Sequence, residues 1–96
     1  MTFSQKAVEL LPAVTSKQLS KEVISWVCTN LVLGLTARQR NYSMPGHWPL
    51  YPGEQSSPMS KEEYWNICDR IDSVVASVPA ETINALEHDW PWTQAF

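Results

Sequence analysis

Glycine is scarce in this chain of 96 residues, with three copies, at positions 34, 46 and 53. Three isolated glycines cannot build the clustered loop that wraps a phosphate in backbone N–H groups, which excludes the nucleotide-binding fingerprints. Histidine and cysteine are nearly as rare: His47, His88, Cys28 and Cys68 are the whole set. A zinc site needs three or four ligands with organised spacing. These four fall on three predicted helices and a loop, so no metal site and no cofactor is expected. Neither cysteine stands beside a histidine in a pattern that would activate it as a nucleophile. Both lie on apolar helical stripes and are expected to be reduced core thiols rather than a disulfide.

Positive charge is also thin, with seven Lys and Arg residues. That is too few for a nucleic-acid footprint, and "ARQR" (37–40) reads as cations placed at a helix C-terminus. Carboxylates are present but not paired for acid–base work. Glu62 and Glu63 point to different sides of a predicted helix, while Asp69 and Asp72 share one exposed face. No apolar run reaches the length of a bilayer span. The longest, "VISWVCTNLVLGL" (23–35), is short and interrupted by Ser, Thr and Asn. Residues 1–15 lack the basic start and apolar run of a secretory signal. A cytoplasmic protein without catalytic activity is expected, and no membrane partner or small-molecule substrate.

Aromatic residues are abundant, by contrast: five Trp, three Tyr and two Phe. Apolar residues make up 44% of the chain and charged ones 18%, a globular rather than a disordered composition. The length allows one hydrophobic core and therefore one domain, 1–96. The net charge of −3 conceals a division. Residues 1–42 hold five basic residues against two acidic ones, and residues 43–96 hold two against eight. Such halves either attract each other within the fold or present an acidic face to a basic partner.

The periodicity is helical everywhere it can be read. "SQKAVELL" (4–11) predicts a short helix capped by Ser4 and ended before Pro12. "TSKQ" (15–18) has the pattern of a capping box, opening a long helix that runs to about Arg40. Its apolar residues Leu19, Val23, Ile24, Val27, Cys28, Leu31, Val32 and Leu35 recur at helical spacing. Trp26 and Leu33 lie off that stripe, so this helix is apolar over most of its circumference and belongs in the middle of the fold. Gly34 inside it marks close approach by a neighbour.

A second capping box, "SKEE" (60–63), starts the third helix. Tyr64, Ile67, Cys68, Ile71, Val74, Val75 and Val78 form its narrow apolar stripe, with Trp65 beside the stripe rather than on it. "PAETINALEHDW" (79–90) predicts a fourth helix, opened by Pro79 and stopped by Pro91, with Ile83, Leu86 and Trp90 inward. The tail 91–96 follows. The predicted fold is all-α: a small bundle of three main helices plus a short N-terminal one, with a long loop between helices two and three.

That loop, about 41–59, holds the sequence "YSMPGHWPLYPG" (42–53), rich in proline and aromatic residues. Connections of this length are usually functional or disordered, and this composition is not that of a disordered segment. Its prolines stiffen it, and its rings either cover the helices or meet a partner with large contact area at low entropic cost. The candidate contact residues are Tyr42, Met44, His47, Trp48, Leu50, Tyr51 and, in the tail, Trp92. The expected function is protein binding by occupation of a surface on a larger partner, as inhibitors, immunity proteins and host modulators of phage or mobile elements do. The alternative is a regulator acting on nucleic acid, through Arg38 and Arg40, or on a nucleic-acid-binding protein, through a DNA-mimicking face along Glu62, Asp69 and Asp72.

Overall fold

The computed structural model describes residues 1–15, 21–41 and 61–89. These residues are mostly helical, in four helices, with one isolated β-bridge and no strand: α1 (Phe3–Val14), α2 (Lys21–Arg40), α3 (Lys61–Ser77) and α4 (Ala80–Ala85). The all-α expectation holds for them, but the proportions differ. α1 has 12 residues and α4 has six, so the short helix comes last rather than first. No helix among the described residues is long and apolar enough to cross a membrane. The 41–59 loop beyond Asn41, the 91–96 tail, and the expected capping contacts of Gln18 and Ser60 lie outside the described residues.

α1 begins at Thr2, not at Ser4. "TFSQ" (2–5) is a capping box: Thr2 Oγ1 accepts from the Gln5 amide at 3.1 Å, and Gln5 Oε1 accepts from the Thr2 amide at 2.9 Å. This early start carries Phe3 into the core, where it is completely buried. Pro12 does not end the helix either. It lies on the exposed side of the last turn, and two further residues bury Val14 before Thr15 leaves in an extended conformation. A proline inside a helix removes one hydrogen bond. Close to the end, burying Val14 outweighs that loss.

α2 sits at the centre, packed against α1, α3 and α4. Val23, Trp26, Val27, Leu31, Val32, Leu35 and Ala37 are buried on it, as its all-round apolar pattern requires. Its two buried polar residues are served from within: Asn30 Nδ2 donates to the Trp26 carbonyl at 2.9 Å and Thr36 Oγ1 to the Val32 carbonyl at 2.7 Å. The helix stops at Asn41, whose φ of 56° places it in the left-handed region that Asn tolerates at a helix C-terminus. A Cβ on Gly34 would stand 3.0 Å from Val75 Cγ2 and 3.2 Å from Cγ1. The missing side chain is where α3 comes closest.

α2 and α3 run parallel. Trp26 stacks on Tyr64, Gly34 meets Val75, and the Arg38 guanidinium donates to the carbonyls of Val75, at 2.7 Å, and Val78. The chain leaving α2 therefore re-enters at the opposite end of α3, roughly 27 Å away at 1.5 Å of rise per residue. A helix–helix connection of a few residues cannot cover that distance. About eight extended residues are needed to span it, so part of the length of the 41–59 connection has a geometric cause. α1 runs antiparallel to both, with Phe3 at the end where α2 finishes and the Val14 carbonyl 3.4 Å from Arg70 Nη1 on α3.

α4 stops at Ala85, short of the predicted 90, because longer-range partners take its backbone. Gln39 Nε2 donates to the carbonyls of Ile83 and Leu86 at 2.9 and 3.0 Å. Glu87 then exchanges backbone hydrogen bonds with the N-terminal segment: its amide donates to Met1 at 3.0 Å and its carbonyl accepts from Phe3 at 3.1 Å. Ile83 and Leu86 are buried as expected, while Trp90 lies outside the described residues. His88 is consequently not at a helix end. Its ring lies 5.1 Å from that of Phe3, and its Nε2 is 3.1 Å from Arg40 Nη2. A guanidinium only donates, so Nε2 is the acceptor in this contact.

Asp89 completes this clasp. Its Oδ1 accepts from the Ser4 amide at 3.1 Å. Slight burial works to raise the carboxyl's pKa, but the Ser4 amide and the hydroxyls of Thr2 and Ser4 outweigh it, and the pKa lies below its ordinary value. A carboxylate lowered in this way adds stability above its unfolded pKa and loses it as pH falls through the folded one. Asp89→Asn should therefore differ from the parent in urea unfolding by a constant amount above about pH 5, and by progressively less toward pH 3. A difference that does not shrink in acid would remove Asp89 from this role.

Candidate functional site

Tyr42, Met44, His47, Trp48, Leu50, Tyr51 and Trp92, the contact residues expected from the sequence, all lie outside the described residues. The described residues supply a different candidate, on α3. Trp65 is 53% exposed, the one exposed aromatic among them. It is held from behind. Trp26, buried on α2, stacks on Tyr64 with ring centroids 5.1 Å apart and planes 23° from parallel. Tyr64 in turn meets Trp65 edge-on, at 5.1 Å and 85°. Three rings thus run from the core to the surface, each in a geometry that aromatic quadrupoles favour. The indole at the end is braced before anything binds.

Three carboxylates flank it. On a helix, residues three, four and seven positions apart share a flank, which sets Trp65 among Glu62, Asp69 and Asp72, all exposed. Beside this flank a cleft of about 250 Å³ opens between α2 and α3. Its α2 wall is Asn30, Gly34, Ala37 and Arg38, and its α3 wall is Ile71, Asp72, Val75 and Ala76. The small side chains and Gly34 leave the space open. A wider concavity of about 410 Å³ lies near α4, lined by Met1, Lys6, Glu81, Thr82, Ala85 and Leu86. Its cation Lys6 is paired with Glu9 at 3.0 Å, so nothing there converges on a ligand.

The chemistry of the thiols is quiet. Both cysteines are free. Burial pushes the Cys28 thiol up. Burial foremost, then the charges of Asp72 and Asp69, push Cys68 up against the opposing pull of its hydrogen bond with Tyr64. Burial and then Cys68 likewise raise the Tyr64 hydroxyl. A raised thiol is protonated at neutral pH and is a poor nucleophile or ligand. Among the described residues no three His, Cys, Asp or Glu side chains gather where a metal ion would be held.

The basic "ARQR" stretch is largely occupied inside the fold. Arg38 and Gln39 satisfy the orphan carbonyls at the ends of α3 and α4, and Arg40 meets His88. Arg38 thus places a cation at the C-terminus of α3, where it opposes the negative end of the helix dipole. Trp65 was readable as lying off the apolar stripe. Its brace was not, because that depends on which residue of α2 lies opposite Tyr64. Comparison with known proteins finds no family model, no curated protein and no solved structure that matches this chain.

Proposed function

We propose that this protein is a non-catalytic binding module that acts by occupying a surface of a larger protein partner. The observation that carries the reading is Trp65, half exposed at the end of a braced Trp26–Tyr64–Trp65 stack. Tryptophan is the residue type most often found at binding hot spots, and bracing a ring in advance lowers the entropic cost of ordering it on association. The proline- and aromatic-rich stretch 42–53 belongs to the same reading, as additional contact area. Inhibitors, immunity proteins and host modulators of phage or mobile elements work in this manner. Direct nucleic-acid binding through Arg38 finds no support, since its guanidinium is held by the carbonyls of Val75 and Val78.

Trp65→Ala separates contact from scaffold. The unfolding free energy should fall by about 1 kcal/mol or less, the worth of one edge-on ring pair. Affinity for the partner retained from a lysate of the source cells should fall by about 2 kcal/mol or more. Thermal melting and quantitative capture of the two proteins side by side measure both. A variant that melts far below the parent, or that retains every protein the parent retains, would defeat the reading.

A further inference from the structure

Resting on that reading, we infer that the Trp65 flank of α3, together with the α2/α3 cleft beside it, docks a basic amphipathic helix of the partner protein. Three observations select this occupant. The first is charge: Glu62, Asp69 and Asp72 are exposed along one side of α3, Arg70 is not on their flank, and Lys61, four positions before Trp65, is the one cation of the helix against these three carboxylates. The second is shape. Two parallel helices leave a straight trough between them, and Gly34, Ala37 and Ala76 keep its walls low along the cleft, as helix-in-groove recognition requires. The third is the apolar anchor, Trp65, 53% exposed on the same flank as Asp72 and Ala76.

Positions 62, 69 and 72 are separated by seven and three residues, which sets them on one side of α3 over about 15 Å. A partner helix with Lys or Arg at the same spacings meets all three from one face. Its apolar stripe, turned toward the trough, then covers Trp65 and the small residues. Exposed ion pairs each contribute little, so the charges select the partner and its direction, while the apolar contact holds it.

The test uses the whole chain and two synthetic helical peptides of about 18 residues, long enough to lie along α3. One carries leucine on one face and lysine at the flanking positions, and the other has glutamate in place of lysine. Titration into ¹⁵N-labelled protein should move the amide signals of Gly34, Ala37, Trp65 and Ala76 with the lysine peptide and leave them with the glutamate peptide. Asp69→Lys with Asp72→Lys should weaken the lysine peptide about tenfold, the effect of turning two exposed attractions into repulsions. Glu81→Lys with Glu87→Lys changes the net charge equally on a different surface, and should weaken it far less.

Equal loss in both double variants, equal binding of both peptides, or signals that move elsewhere on the molecule would each overturn the inference. So would movement of the Gly34 and Ala76 signals with protein concentration alone, which would place a second copy of this chain on the face. Trp65→Ala keeps the two levels apart. If it weakens the peptide while the Asp69/Asp72 variant does not, the Trp65 contact stands and the basic helix falls. If neither weakens it, both fall.

Discussion

Phe3→Ala should lower the unfolding free energy by about 3–5 kcal/mol, the usual loss when a buried aromatic ring is truncated in a core. Phe3 is completely inaccessible to solvent, packs its ring against His88 and donates its amide to the Glu87 carbonyl. It therefore joins the start of α1 to the segment after α4. Domains of this size hold about 5–15 kcal/mol in all, so the variant should melt roughly 12 °C or more below the parent. Urea and thermal unfolding of the two proteins give the number. A loss under about 1 kcal/mol would mean that the N-terminal segment does not seal this end of the bundle.

Ile71→Ala should cost about 2–5 kcal/mol, and Ile71→Val about 0.5–1.5. Ile71 is 1% exposed at the middle of the α3 stripe, between buried Cys68 and Val75. The graded pair matters because the cost of a cavity depends on how far its walls relax. Ile71 and Val75 line the α2/α3 cleft, and Val75 also lies against Gly34, so the wall is open on one side and close on the other. Equilibrium unfolding in urea would decide it. If both substitutions change stability by under half a kcal/mol, the stripe does not face α2.

What could be read from the sequence differs between elements for physical reasons. α3 was legible over its described residues: one narrow apolar stripe sets its inner face, and Ile67, Cys68, Ile71, Val75 and Val78 are buried as their spacing requires. Gly34 was legible too, because a glycine inside a helix that tolerates none needs a close neighbour. α1 was misjudged at both ends by giving local propensity the decision. Ser4 is a good cap, but Thr2 with Gln5 makes two hydrogen bonds where Ser4 offered one. Pro12 disfavours a helix, but the pull on Val14 comes from the core.

α4 failed for the opposite reason, since nothing within 79–90 signals that Gln39 and the Met1–Phe3 backbone will take its last carbonyls and amides. The site shows the same limit. Trp65 could be placed off the stripe by counting, and its carboxylate neighbours by the same count. That its ring is propped by Tyr64 and Trp26 follows from the parallel pairing of α2 and α3, which no local pattern contains.

That parallel pairing also orders the events of folding. The carbonyls that Arg38 reaches at the end of α3 and just beyond it lie 37 and 40 positions along the chain, whereas α1 and α2 are neighbours in sequence and meet as an antiparallel pair. Closing a longer loop removes more chain entropy before any contact repays it. Helical domains owe their speed to local contacts, and this one replaces part of them with distant ones. The α1–α2 hairpin is therefore expected to form before α3 docks on it. A bundle of the same length with every neighbour antiparallel is expected to fold faster.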